Sequence, residues 1–366
     1  MTNKWLEFLS QAGATIHDGS VVRFASTEED AQACLNSTII SDLSHLDLLA
    51  IEGDDAESFL QGQLTCDVSK VNEHSLQTGA YCTPKGRMVT SFRALKIDKT
   101  YCLLMEPGLF QSTQTTLGKY IVFSKAEIKN ARNDFIILGL AGSEAANLLK
   151  EICPVPDTVN SVTQTDTITC ARIAGSPSGS GTDINPRFIL FCNQGSACSI
   201  WEKLTNNAVP VGKNAWHLLD ILSGYGQIEE TTVEQFLPHN LNYQNIDAVS
   251  FNKGCFTGQE VIARMHYRGK LKSRLFLADI ETADSENEMP KPGSGLFIKE
   301  EGNFKRHGEL VNIAIVEKSA EHYDCKMLAL LPSSNPGETP VFLSNEGGSA
   351  LPMKIMDLPY KTESQK

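Results

Sequence analysis

The feature that most restricts the fold of this chain is how its apolar residues are parcelled. Short runs of strand length, set off by glycine, proline and polar clusters, recur from residue 39 to residue 343. Residues 79–82 and 88–95 are two such runs. The Pro84-Lys85-Gly86 break between them predicts a hairpin with a longer loop. Residues 39–49 read as a turn followed by a strand, and 101–105 and 135–140 suit buried strands. The runs 167–173 and 187–192 flank the glycine- and serine-rich tract 175–181, which predicts a long hairpin loop. The acidic, proline-bearing stretch 283–292 reads as a loop, and four further short runs follow at 295–298, 310–316, 327–331 and 340–343. Strands at that spacing predict a small antiparallel β-barrel at the C-terminus.

Helical patterns are sparser. Trp5, Leu6, Phe8 and Leu9 make the apolar side of a short helix near the start. Asp54 is placed to cap a helix carrying Phe59, Leu60 and Leu64, because a carboxylate there accepts an orphan backbone N–H. Leu204 and the run 216–222 are expected on helices. No internal repeat is present.

A chain of 366 residues exceeds one compact domain, so two or three are expected. The division expected here is 1–137, 138–270 and 271–366, with the first part discontinuous across the first two. A net charge of −12 argues against a protein that coats duplex nucleic acid, which needs cations to neutralise phosphates, but says little about one local basic patch. No apolar run is long enough for a membrane span, and residues 1–13 lack the pattern of a secretory signal. The ten cysteines form no C-x-x-C pair, the close spacing that zinc ribbons and ferredoxin-like clusters use. They read as reduced, mostly buried thiols of a cytoplasmic protein, with no stably bound metal or cluster expected.

Residues 251–274 carry the strongest chemical signal. Lys253, Arg264, Arg268, Lys270, Lys272 and Arg274 stand against the single acid Glu260, six minus one, a local charge of +5 in an acidic chain. Such asymmetry marks a surface for an anionic partner: a folate tail, an RNA phosphate or an acidic protein face. A solvated helix followed by a basic turn gives the same pattern. Within the segment, Cys255 lies beside Lys253, and a neighbouring cation favours thiolate. Gly254 and Gly258 permit close backbone approach to a ligand. A helix starting near Thr257 would add its positive end. A buried, inert cysteine is the structural alternative.

The run Lys253-Gly254-Cys255-Phe256-Thr257-Gly258-Gln259-Glu260 resembles the K-G-C-[FY]-x-G-Q-E signature of YgfZ-type proteins, relatives of the glycine cleavage T-protein (aminomethyltransferase). The likeness extends along most of the chain. It takes in Asp42-Leu43-Ser44-His45, Phe59-Leu60-Gln61-Gly62-Gln63, Cys82-Thr83-Pro84-Lys85-Gly86-Arg87, residues 119–125 and Gln235-Phe236-Leu237-Pro238. Residues 160–185 and 282–305 match poorly.

The resemblance implies an α+β fold: a three-domain T-protein-like ring around a folate-binding channel, closed at the C-terminus by the β-barrel. It places Trp216 in the channel wall, where core packing of the 216–222 helix is the rival role. A second channel tryptophan of some relatives falls at Leu46, and the glutamate that reads the pterin edge falls at Leu222, with Asp220 and Glu229 as nearby acids. The T-protein aspartate that serves methylene transfer is replaced by Thr90 and Ser91, whose hydroxyls cannot do carboxylate work near pH 7. The family role so implied is maintenance of iron–sulfur enzymes, including tRNA methylthiotransferases as clients, with tetrahydrofolate or a derivative as ligand. Cys255 is then the functional thiol and Lys253 its activator. Two other roles stay open: a tetrahydrofolate-dependent one-carbon transferase, and a non-catalytic scaffold docking RNA or a client through 264–274.

Overall fold

The expected hairpin forms the edge of a five-stranded antiparallel sheet in the computed structural model of the chain, which describes residues 2–177, 184–283, 289–318, 322–334, 336, 340–343 and 350–362. Gln77–Cys82 pairs with Met88–Ile97, Tyr81 opposite Thr90, and Thr100–Met105, Asp47–Glu52 and Glu127–Asn130 continue the sheet in that order. Met88–Ile97 is buried on both faces over almost its whole length, which is why it reads as a continuous rather than an alternating apolar run.

A second, six-stranded sheet runs Val162–Gln164, Ile168–Pro177, Ile184–Asn193, Phe135–Ala141, Ile39–Asp42, Val209–Val211. Only its last pair is parallel. Ile39–Asp42 is therefore a strand before the turn at 43–46, where the sequence predicts a turn alone. It joins this sheet, while Asp47–Glu52, a few residues on, joins the first. Phe135–Ala141 spans position 137, so early and middle parts of the chain are interleaved in one sheet. The loop expected over 175–181 lies partly outside the described residues, but the two strands flanking it pair as a hairpin.

The third sheet is antiparallel, in the order Gly295–Glu300, Asn303–Lys318, His322–Pro332, Ser273–Ala283, Met353–Met356. Glu301 and Gly302 both take positive φ, +49° and +86°, as a two-residue hairpin turn demands. The run expected at 340–343 contributes isolated bridges, Phe297 to Phe342 and Val341 to Leu351. These lead from one edge strand toward the chain entering the other.

Helices cover the sheets. Thr2–Gln11 and Ala197–Thr205 bury Trp5 and Trp201 edge to face, 5.8 Å apart, against the second sheet. Trp5 Nε1 donates to Asp42 Oδ1 at 2.9 Å, anchoring the start of the chain. Lys213–Leu222, buried at most of its positions after Asn214, packs into the largest core with Leu46 and the first sheet. The capping expectation at Asp54 is corrected by one residue. Asp55 precedes the helix Ala56–Gln61, and its carboxylate accepts from the Lys125 backbone N–H at 2.8 Å instead of closing the helix end. Among the described residues no helix is long and apolar enough to cross a membrane.

Candidate functional site

The segment ahead of the cysteine is pinned along residues 62–66. Ser250 donates its N–H to Thr65 O, and Thr65 Oγ1 donates to Ala248 O at 2.7 Å. Lys253 Nζ donates to the carbonyls of Leu64 and Cys66, both at 2.8 Å. Thr257 Oγ1 donates to Gln63 Oε1 at 3.0 Å. Phe256 is buried, with the Lys253 ammonium 5.2 Å from its ring centroid. Burial lowers Lys253 to about 8, while Cys66 and Asp67 pull the other way. Beside Lys253, burial pushes the Cys66 thiol up to about 12. The lysine adjacent to Cys255 in sequence thus spends its ammonium on carbonyls of the 62–66 segment.

Glycines bring this motif onto the hairpin. Gly258, at φ +84°, precedes the helix Gln259–Arg268, and a Cβ there would meet Thr83 O at 2.6 Å and Gly86 Cα at 3.0 Å. The helix therefore starts two residues later than Thr257, because Gly258 must take a left-handed conformation to clear the hairpin. Glu234 N and Phe236 O bond across to Met88, so the 235–238 segment lies along the same hairpin. Gly254 differs: a Cβ there would meet nothing within 4 Å among the described residues. Cys255 beside it is exposed, one of two exposed cysteines among ten, the other being Cys198. Beyond it Gln259 is half-buried and Glu260, Arg264, Arg268 and Lys270 are exposed.

A second constellation lies inside, where the three sheets meet. Asp220 Oδ1 accepts from Arg93 Nη2 at 2.7 Å and from Arg187 Nη2 at 2.8 Å. Burial works against its charge, yet the two guanidiniums hold the carboxyl below the usual range. Arg187 lies over the Trp216 ring, 4.6 Å from its centroid, and the ring rests on Gly139, where a Cβ would come within 2.4 Å. Both contacts are core packing, while Trp216 Nε1 is buried without a hydrogen-bond partner among the described residues. Glu106 Oε1 accepts from Gln227 Nε2 at 2.7 Å, and Glu229 Oε1 accepts from Asn312 Nδ2 at 2.7 Å. Burial, then the charges of Glu229 and Asp220, push Glu106 up to about 8. Gln227 Oε1 is buried with no hydrogen-bond partner among the described residues. Asn312 comes from the third sheet and also accepts from Gln227 N at 2.8 Å, tying that sheet to this interior. Ser91 Oγ accepts from Ile228 N at 2.9 Å, which sets these acids beside the hairpin. Among the described residues no group of three or more His, Cys, Asp or Glu is placed to hold a metal ion.

The family model described as the GCVT N-terminal domain matches residues 7–252. The tRNA-modifying protein YgfZ of Enterobacter sp. (strain 638) is 31% identical, over 93% of this chain and 98% of its own. That of Colwellia psychrerythraea is 30% identical over 84% and 89%. The chain belongs to the YgfZ group of the GCVT family. Among solved structures, the glycine cleavage system aminomethyltransferase T of Bartonella henselae superposes with a TM-score of 0.74 over 97% of this chain and 96% of its own. At 17% identity that likeness concerns the fold, a T-protein-like mixture of helices and antiparallel sheets.

Within this YgfZ-group chain, the structure brings the K-G-C motif, the 83–87 hairpin and the 235–238 segment into one surface, three stretches that all carry the family likeness. Trp216 and Asp220 lie apart from that surface, in the interior. Sequence reasoning missed Arg93, Arg187, Glu106, Gln227 and Asn312. Arg93 and Arg187 had a signal, each being a charged residue inside an otherwise apolar strand run, which calls for a buried counter-charge. Glu106 and Gln227 sit in loops and had none.

Proposed function

We propose that this chain is a cytoplasmic folate-binding protein that supports the assembly or repair of iron–sulfur cluster enzymes, those that thiolate tRNA included, with Cys255 as its functional thiol. The observation that carries the reading is an exposed cysteine on a motif pinned to residues 62–66 and the hairpin, in a chain whose interior keeps polar atoms in want of partners. A pterin edge offers N–H donors together with acceptor atoms and asks for both kinds of partner. Glu229 and Gln227 Oε1 supply acceptors, and Trp216 Nε1 and the protonated Glu106 carboxyl supply donors. The residues fit a folate, although Asp220, held by two arginines, is not free to read it. The division into parts 1–137, 138–270 and 271–366 around a channel, with the last sheet closed as a barrel, belongs to the same proposal.

One thiol does not hold a cluster, which as a rule takes about four protein ligands. Cys255 therefore acts toward a sulfur, iron or oxidised species on a client. Exposure beside Gly254, which has open space on its Cβ side, gives a client access to the sulfur. The name of the relatives, tRNA-modifying protein, agrees with clients that thiolate tRNA.

Two measurements test the proposal. Tetrahydrofolate titration is followed by tryptophan fluorescence in the native protein and in Trp216→Phe, which retains Trp5 and Trp201. A saturable change that is diminished in the variant supports the interior site, and no binding removes folate from the reading. Cys255→Ser is then placed in a strain lacking the native protein. Normal thiolation of tRNA in that strain would remove the thiol role.

A one-carbon transferase is the second reading, and Glu106 favours it. Thr90 and Ser91 supply no carboxylate, but Glu106 near the hairpin keeps a proton up to about pH 8. Formaldehyde or methylene-tetrahydrofolate released from a methylated amine, and abolished in Glu106→Gln, would establish it. No release rejects it.

A further inference from the structure

The helix Gln259–Arg268 carries a feature that neither folate nor Cys255 uses. His266 stacks on Phe251, ring centroids 3.8 Å apart and 14° from parallel. Tyr267 stands edge-on to the pair, 4.8 Å from His266 and 6.1 Å from Phe251, and is 68% exposed. A tyrosine so open contributes little to the core, yet it is braced by two rings behind it. Arg264 and Arg268 are four residues apart, hence on one side of the helix, and Lys270 follows its end. All three are exposed, and among the described residues none enters an ion pair or a side-chain hydrogen bond. The lone acid of the segment, Glu260, is at the far end of the helix, in its first turn.

We propose that this face binds single-stranded RNA. Unmatched guanidinium and ammonium groups suit phosphates. A braced, exposed ring flanked by arginine suits the face of an unpaired base, which stacks on aromatic and guanidinium planes. In a duplex that base face is covered by its neighbours, and three cations are too few to hold a duplex against a chain of net charge −12. The same acidity confines a polyanion to this face. An acidic protein surface would answer the cations but leave the braced ring without a partner of its own kind. The inference goes beyond the folate and thiol reading: it needs neither the interior site nor the sulfur.

The test uses the full chain and a fluorescein-labelled, mixed-sequence RNA of about 12 nucleotides, followed by anisotropy at low salt. Binding should weaken as salt rises. Tyr267→Ala should weaken it about tenfold, and Tyr267→Phe should keep it within about twofold, since stacking needs only the ring. The double variant Arg264→Glu, Arg268→Glu should weaken it further and flatten the salt dependence by roughly 0.7 in log–log slope for each phosphate no longer neutralised. These side chains stand in solvent, and the thermal midpoint of each variant checks that it folds. The proposal is overturned by no binding, by equal affinity for a duplex of the same length, or by affinity unchanged in the folded variants. Competition by polyglutamate as strong as by RNA also overturns it, pointing to an acidic protein face. Tetrahydrofolate titration of the native chain separates the two readings: folate binding without RNA binding there sinks only this one.

Discussion

The interior around Asp220 and the outer face of the helix Gln259–Arg268 both gather arginines, and they treat them in opposite ways. Inside, Arg93 and Arg187 converge on one carboxylate at 2.7 and 2.8 Å, and Arg187 also covers a tryptophan ring. Outside, Arg264 and Arg268 have no partner among the described residues and face water. A buried guanidinium without its counter-charge costs several kcal/mol, so the interior set is fixed by folding itself. An exposed one costs almost nothing, so its retention without a partner asks for an explanation outside the fold.

The most damaging substitution tests that contrast directly. Asp220→Ala strands two buried guanidiniums and should cost about 3–5 kcal/mol in chemical denaturation. Arg268→Glu should stay within about 0.5 kcal/mol of the native chain. Similar costs for the two substitutions would erase the distinction between a structural and a free set of cations.

A smaller version of the contrast sits inside the K-G-C motif. Gly258→Ala forces a side chain into the left-handed region and against Thr83 O, and should cost about 1–3 kcal/mol. Gly254→Ala meets open space and should cost no more than about 0.5 kcal/mol. If Gly254→Ala nevertheless lowers tRNA thiolation in a strain lacking the native protein, that glycine serves the approach of a client. Unchanged thiolation would leave it as a mere turn residue.

Glu106 gives the interior side a pH dependence. Its folded value of about 8 lies above its ordinary 4.5, so the folded protein holds a proton that the unfolded chain has released. The stability this proton contributes is complete below the unfolded value and is lost as pH rises through about 8. The native denaturation midpoint should therefore fall from about pH 5 to about pH 9, and Glu106→Gln should fall less. Parallel profiles for the two proteins would mean that Glu106 is not protonated in the fold.

How far the sequence foretold this arrangement depends on the range of the interaction involved. The hairpin at 84–86 was legible because turn chemistry and strand runs are local. The surface patch was legible because its cations sit in one helix and the few residues after it. The strand Ser273–Ala283 went unread, since its opening residues belong to the basic run and its apolar stretch begins only at Leu275. The partition of Ile39–Asp42 and Asp47–Glu52 between two sheets depends on pairing with Phe135–Ala141, about a hundred residues on, which no local pattern encodes. Likewise Asp220 suggested a ligand contact by its position on the 216–222 helix. Only the tertiary fold reveals that strands far apart in sequence deliver two arginines to it.

The subtlest change is expected at the residue that touches both sides of the contrast. Lys253 is next to an exposed thiol in sequence, but its ammonium lies 2.8 Å from two backbone carbonyls. If its work is to hold the 62–66 segment, Lys253→Met removes two charge-assisted hydrogen bonds and should cost about 1.5–3 kcal/mol in stability. Alkylation of Cys255 at pH 7 should then change less than about twofold, measured in a Cys198→Ser background so that a single exposed thiol reports. A tenfold slower alkylation in the folded variant would show instead that the lysine acts on the sulfur through space. The motif would then be read as a thiol with its activator rather than a thiol on a pinned turn.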